Sequence, residues 1–316
     1  MISFDIIVVG ELNVDIILNQ IDSFPQVGKE ILAKQMTVTL GSSSAIFASN
    51  ASSLGAKVAF IGKIGKDNFG DTVLQNLKAK GVDTGMIKQS DELKTGATLV
   101  LNYNEDRAMI THTGAMEDLR LKDISIEQLK QARHLHFSSY FLQTGLRKDV
   151  GELFQQAKQA GLTTSFDPQW DPQEKWNMDI ETILPYVDVF LPNEKELLNL
   201  TSTDNLEAAI NSIKDKANII VVKRGNKGSV SWHKGHLLYK QPFFNNAVVD
   251  AIGAGDSFNA GFIFKFIQNE GIGICQEFGN LTGAVSTTAQ GGTTAFTDYD
   301  KVIRVAKERF GYAELK

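Results

Sequence analysis

Cysteine is almost absent. The 316 residues hold one, Cys275, in "GIGICQEFGN" with no second Cys or His nearby, so an intrachain disulfide is excluded and no zinc pattern is present. A small buried core residue is its expected role. Positive charge is in deficit: 32 Lys and Arg stand against 37 Asp and Glu, a net charge of -5. Nucleic-acid backbones and anionic membranes are held by clustered cations, so neither is expected as a partner. No apolar run reaches the roughly 20 residues that cross a bilayer. The start, "MISFDIIVVGELNVD", shows no basic leader and no small-residue cleavage site, which makes the cytoplasm the expected compartment. Only six prolines occur, and no linker, repeat or low-complexity tract divides the chain. One domain over residues 1–316 is expected. Two nucleotide fingerprints are also missing: there is no GxxxxGK[ST], and the first strand-like run enters "GELNVD" without GxGxxG.

Short β-type runs alternate with helical patterns along nearly the whole sequence. They are "IIVVG" at 6–10, "VAFIG" at 58–62, "HLHF" at 134–137, "TTSFD" at 163–167, "VDVFL" at 187–191 and "IIVVK" at 219–223. This predicts βαβ units and a doubly wound, mainly parallel sheet with helices on both faces. Gly10, Gly62, Asp167, Asn193, and Lys223 with Gly225 close these runs, and ligands of open α/β sheets bind beyond the carboxyl ends of the strands. Two stretches break the alternation. Residues 96–114 read as a hairpin turning at Asn104 to Asp106, and residues 28–41 are strand-like. Together they predict a small β lid formed by about 12–41 and 96–114. A second hairpin, turning near Lys234 and Gly235, is expected to complete the main sheet.

The most informative stretch is "DAIGAGDSFNAGF" at 250–262. Gly253, Ala254 and Gly255 precede Asp256, and a run of apolar residues then follows, as in a helix buried on most of its surface. Two readings are open for Asp256. It caps the helix, for which Asp is well suited, or it stands beside bare backbone N–H groups that bind an anion and accepts a proton there.

In order, "GELNVD" (10–15), "IGKIGKDNFG" (61–70), "PNEKE" (192–196), "KRGNKGS" (223–229) and "DAIGAGDSFNAGF" resemble the ribokinase/PfkB family of carbohydrate kinases over nearly the whole chain. The resemblance implies a ribokinase-like fold, ATP with Mg²⁺ and a potassium ion as cofactors, a sugar or related acceptor, and a homodimer through the lid. It makes Asp256 the catalytic base, with the turn from Gly253 to Asp256 as the anion hole through the backbone N–H groups of Ala254, Gly255 and Asp256. It places Asn193 and Glu196 near Mg²⁺ and the nucleotide phosphates, where a hard cation is held by oxygen, partly through water. Lys223, Gly225, Gly228, Asp250, Asn280 and Gly283 fall on the nucleotide side. Asn13, Asp15, Gly41, Ser42, Ser43, Ile46, Arg107 and Asp167 fall on the acceptor side. Each has a plainer reading: Asn193 and Glu196 as a helix start, Gly225 and Gly228 as a turn, Asp15 as a turn cap, and Arg107 as a solvated strand residue. His112, His134 and His136 are expected to pack within strands.

Several residues depart from the family pattern. Ser42 replaces a second Gly, Ile46 stands where an Asn faces the sugar, Gln169 stands where Asn is usual in an Asp-Pro-Asn segment, and Ala251 replaces Thr, Ser or Val. They leave the phosphoryl machinery intact and bear on the acceptor. The expected activity is transfer of the γ-phosphoryl group of ATP to a hydroxymethyl group of a sugar or polyol. A nucleoside kinase of the same fold is the alternative, as is a sugar-binding regulator without turnover, which would have no need of a base.

Overall fold

A computed structural model describes residues 2–103 and 106–313, apart from the side chains of Asp106 and Arg107. The strands are β1 (Phe4–Val9), β2 (Asn13–Ile21), β3 (Ala33–Leu40), β4 (Val58–Gly65), β5 (Ile87–Ser90), β6 (Gly96–Tyr103), β7 (Asp106–His112), β8 (Ala132–Ser138), β9 (Thr163–Asp167), β10 (Val189–Phe190), β11 (Ile219–Lys223), β12 (Ser229–His233) and β13 (His236–Lys240). The helices are α1 (Ser43–Ser53), α2 (Asn68–Ala79), α3 (Ile126–Leu129), α4 (Val150–Gln159), α5 (Ile180–Ile183), α6 (Glu194–Thr201), α7 (Leu206–Ile213), α8 (Ala254–Phe266), α9 (Ile272–Ser286) and α10 (Tyr299–Phe310).

Nine strands form the main sheet in the order β13-β12-β11-β10-β9-β8-β1-β4-β5. All neighbours are parallel except β11–β12 and β12–β13, the hairpin that completes one edge. Strand alternation divides the core in two. Ile6 and Val8 of β1 face α1, α2, α8, α9 and α10, whereas Ile7 and Val9 face α3, α4, α6 and α7. Both faces are therefore covered, which is why these strands read as unbroken apolar runs. Helix α8 is buried from Asp256 through Phe264, so its sequence carries apolar residues on every side.

Chain order reverses at β1: β4 and β5 extend the sheet one way, and the later β8 to β11 extend it the other. A crevice at such a switch point is where open α/β sheets bind ligands. Over it stands the second sheet, in the order β3-β2-β6-β7, from residues within the two expected lid stretches. Two boundaries differ from the sequence expectation. Strand β4 runs on past Gly62 to Gly65, so Gly62 lies inside the sheet opposite Ile87 rather than at its edge. Of the expected lid turn, Asn104 and Glu105 lie outside the described residues.

Candidate active site

The carboxyl end of β1 leads into Glu11, a buried carboxylate that sequence reasoning passed over. Its Oε1 accepts from Ser43 Oγ at 2.7 Å, Ser139 Oγ at 2.9 Å and the Ser44 amide at 3.1 Å; its Oε2 accepts from Ser44 Oγ. Ser43 and Ser44 open α1, and Ser139 follows β8, so Glu11 ties three elements across the switch point. A single acidic residue just past the apolar run Ile6 to Val9 was the available signal.

One strand further along the sheet, Asp167 ends β9 and is fully buried. Its Oδ2 accepts from Lys223 Nζ at 2.5 Å, from Gln169 Nε2 at 3.0 Å and from Asn259 Nδ2. Its Oδ1 accepts from the Gln169 backbone amide at 3.2 Å, so Asp167, expected on the acceptor side, also orders the site through its protein donors. Gln169 Nε2 also donates to Asp256 Oδ1 at 3.0 Å. Asp256 and Asn259 lie on one face of α8 at spacing i, i+3, so this helix meets the strand ends at two points.

Gly253, in the left-handed region at φ 74°, occupies the cap position of α8, and Asp256 sits three residues further in with no capping bond. That removes the capping reading of Asp256. A Cβ at Gly253 would fall 2.6 Å from Gly292 Cα, so only glycine fits between these backbones. The amide of Ala254 reaches Ala251 O at 3.3 Å, and those of Gly255 and Asp256 have no acceptor among the described residues. Exposed N–H groups at the start of a 13-residue helix form an anion site. Lys223 Nζ lies over the same turn, 3.7 Å from where a Cβ of Gly255 would be.

The electrostatics follow from burial. Burial pushes the Asp256 carboxyl up to about 7, and the charges of Asp167 and Glu11 add to it; Lys223 and the Gln169 amide pull the other way. Burial also raises Glu196, helped by Asp167 and opposed by Lys223. For Lys223, burial would lower the ammonium, but Asp167, Glu196 and Asp256 outweigh it and hold it above the usual lysine value. His134 and His136 are buried strand residues bonded to Thr163 and Ser165, with burial the main cause that lowers both, as expected of packing residues.

Asn193 and Glu196 form a reciprocal cap on α6: Asn193 Oδ1 accepts from the Glu196 amide at 2.9 Å and Glu196 Oε2 from the Asn193 amide at 2.8 Å. The plainer reading of this pair is therefore realised. It does not exhaust Glu196, whose second oxygen adds to a cluster of carboxylates short of positive charge. An oxygen-rich, charge-deficient cluster suits a hard divalent cation, so the residues present fit Mg²⁺ bound together with nucleotide phosphates. Among the described residues, no group of three or more His, Cys, Asp or Glu is placed to hold a metal ion, so the phosphate oxygens would have to supply part of its coordination.

On the lid, Asn13 Nδ2 donates to Asp15 Oδ1 at 3.1 Å and Thr98 Oγ1 at 2.9 Å, and Gly41 packs against both Asn13 and Asp15. Ser42 caps α1 by accepting from the Ala45 amide and donates to Glu11 O at 2.6 Å. Arg107 lies on β7 opposite Asn102, and its side chain is outside the described residues. On the other flank, Gly225 and Gly228 shape the turn after β11; a Cβ at Gly228 would strike Lys240 O at 2.1 Å. Asp250 accepts from the Ile252 and Gly291 amides, joining the turn before α8 to the 291–292 segment. Gly283 allows α9 to approach Ala254 O, and Asn280 Nδ2 donates to Gln241 O at 3.1 Å.

Ile46 is placed differently from the expectation that it faces the acceptor. It is buried, and its methyl groups pack against Gly253 and Gly292, behind the anion turn. One helical turn on, Asn50 donates to Gly292 O and Ser257 Oγ, each at 2.9 Å. Helix α1 therefore braces the turn with a hydrocarbon and an amide from the same face.

The helix N-terminus with free amides, the buried carboxylate and the lysine thus meet at the switch point of a doubly wound sheet of the ribokinase-like fold. The chain belongs to the pfkB family of carbohydrate kinases, whose model matches residues 3–298. It is an enzyme that phosphorylates an alcohol group of a sugar. A sugar kinase of Archaeoglobus fulgidus is 30% identical over 239 residues, covering 74% of this chain and 92% of the relative. An ATP-dependent ribose-1-phosphate kinase of Halopiger xanaduensis is 28% identical, covering 95% and 97%. The fold is that of Arabidopsis thaliana ribokinase, solved with ribose and ATP, at a TM-score of 0.83 and 22% identity over 97% of this chain and 99% of that one.

Bracing by Ile46 has a measurable consequence. Ile46→Asn should place an unpaired amide against the Gly253 and Gly292 backbones, at a cost of about 1–3 kcal/mol. The expected result is a lower melting temperature with no change in the order of preference among acceptors. A gain on hydroxyl-rich sugars at unchanged melting temperature would return Ile46 to the acceptor wall.

Proposed function

We propose that the protein transfers the γ-phosphoryl group of ATP to a hydroxymethyl group of a sugar, with Asp256 as general base. The observation that carries this is the placement of Asp256 inside the first turn of α8, uncapping and buried, beside two amides without acceptors. A regulator that only binds sugar has no use for a carboxylate whose proton affinity is poised near neutrality.

Asp256 accepts the proton of the acceptor hydroxyl as its oxygen attacks the γ-phosphorus and the bond to the β-phosphate breaks. The amides of Gly255 and Asp256 meet the charge on the transferring oxygens, the Ala254 amide can turn to them from its 3.3 Å contact with Ala251 O, and Lys223 adds a cation on the same side. Asn193 and Glu196 would hold Mg²⁺ through water; when bound, the ion neutralises polyphosphate charge. Asn13, through its Oδ1, and the Asp15 carboxylate accept from the sugar's hydroxyls on the lid side. The test is ADP release over a panel of D-ribose, 2-deoxy-D-ribose, ribose 1-phosphate, D-fructose, 2-dehydro-3-deoxy sugar acids and adenosine. Turnover of adenosine alone would favour the nucleoside reading, and no turnover of any would favour the regulator.

Asp256→Asn should lower kcat by about 10² to 10⁴-fold with little change in ATP affinity. The base must be ionised, so kcat/KM of the parent should fall about tenfold per pH unit below a midpoint near 7. A flat profile from pH 5 to 9, or near-normal turnover of a folded Asn variant, would remove Asp256 from the chemistry.

Glu196→Gln should raise the Mg²⁺ concentration needed for half-maximal rate more than it alters KM for the sugar. Superimposable Mg²⁺ titrations of variant and parent would confine Glu196 to its capping role.

The outer face of the lid supports a homodimer. Ile16, Val38, Leu99 and Ile110 lie in register across its four strands, with Val38 and Ile110 42% and 65% exposed. Ile110→Glu should convert a dimer to a monomer in sedimentation equilibrium. A parent that sediments as a monomer at tens of micromolar would refute the assembly.

A further inference from the structure

With Asp256 as base, the next question is which of its two oxygens takes the proton and what keeps it aimed. Gln169 is the neutral side chain recorded on this carboxylate, and its placement is unusual. Its backbone is in the left-handed region at φ 60°, a conformation that costs a non-glycine residue about 1 kcal/mol or more. Its own amide donates to Asp167 Oδ1 at 3.2 Å, which holds the strained turn after Pro168. From there Nε2 has one proton for each of two carboxylates, Asp167 Oδ2 and Asp256 Oδ1, both at 3.0 Å. Asp256 Oδ2 has no hydrogen-bond partner among the described residues.

We propose that Gln169 is the positioning residue of the general base: its amide nitrogen ties Oδ1 of Asp256 to Asp167 and leaves Oδ2 as the oxygen that receives the acceptor's proton. The inference rests on the reading of Asp256 as base. In the transfer step the acceptor O–H bond breaks and its proton bonds to Oδ2. The alkoxide electron pair forms the new P–O bond, and the nucleoside diphosphate leaves with the electrons of the old one. Oδ1 stays on the Gln169 amide throughout, so the carboxylate cannot rotate out of line. The same amide joins the base to the Lys223–Asp167 pair, so the phosphate-side cation and the proton acceptor share one frame. An Asn from the same backbone is one methylene shorter and cannot span both carboxylates as Gln does.

The charged groups facing Asp256 are Asp167 at the end of β9, Lys223 on β11, Glu11 after β1 and Glu196 on α6. Against that background the Gln169 proton favours the ionised form of Asp256. Removing it makes the carboxyl hold its proton more tightly.

The test uses the full chain labelled with ¹³C at the aspartate carboxyls, the Asp256 signal being assigned by its loss in Asp256→Asn. In Gln169→Met, which keeps the side chain's length without its donors, the Asp256 titration should move to higher pH by about one pH unit, a tenfold gain in proton affinity. Gln169→Ala should do the same, and Gln169→Asn should fall between Met and parent. On the most active sugar of the panel, kcat of the Met variant should drop about tenfold at pH 7 while KM for ATP stays within twofold. Gln169 is a half-buried loop residue, and an unchanged melting temperature establishes that each variant is folded. A folded Met or Ala variant whose Asp256 carboxyl titrates at the parent midpoint overturns the proposal. The base reading is judged separately, by turnover of Asp256→Asn, so the two can fail independently.

Discussion

The site depends on one ion pair, Lys223 with Asp167, buried where the parallel strands end. Four carboxylates gather there, Glu11, Asp167, Glu196 and Asp256, each less than a tenth exposed, and Lys223 is the one cation hydrogen-bonded into the group among the described residues. Unpaired charge at such depth is costly, and loss of one partner of a buried pair typically destabilises a protein by about 3–5 kcal/mol. The hydrogen bonds of Asn259 and Gln169 to the same Asp167 oxygens make the pair tolerable. They also fix the distance between α8 and the sheet, on which the alignment of base and anion turn depends.

The remaining charge imbalance is held by the fold at some expense. Carboxyls that bind protons more tightly folded than unfolded subtract from stability above their ordinary range; for Asp256 this effect starts above pH about 4 and is complete beyond about 7. The strained Gln169 and the amides of α8 without acceptors are further local costs. Gln169 is hydrogen-bonded to Asp256 and the free amides are those of Asp256 and its neighbour Gly255, while the two apolar layers and helix α1 supply the compensating burial. Catalysis by electrostatic preorganisation requires this arrangement, since dipoles already aimed need not reorganise as charge moves.

How much of this was legible in the sequence varies with the range of the interaction. Strands β9 and β11 begin and end where the sequence places them, because β11 is an apolar run buried on two faces, β9 is a short β-type run, and each is closed by a polar residue. The stretch Gly253 to Asp256 was legible for a similar reason: helix start, small residues and acid all lie within four positions. Whether Asp256 capped the helix was not legible, since it turns on the positive φ of Gly253, which a sequence permits but does not impose. Asn193 and Glu196 form a helix cap and a carboxylate cluster at once, and local spacing shows only the first. Glu11, Gln169 and Asn259 acquire their meaning from partners far along the chain, such as Ser139 for Glu11 at 128 residues and Asp167 for Asn259 at 92. No periodic pattern encodes contacts of that span.

The departures from the family pattern sort by the same logic. Phosphate is held mainly by backbone amides, which need a turn rather than particular side chains, and that turn is intact. The acceptor side is built from side chains, so it changes with the substrate. Where the family pattern has an amide, Ile46 has become part of the brace behind Gly253, and recognition must fall to other groups. Ser43 and Ser139 lie near the switch point within hydrogen-bond distance of Glu11 and, at 2.7 Å, of each other, so their two protons are shared between the carboxylate and the neighbouring hydroxyl.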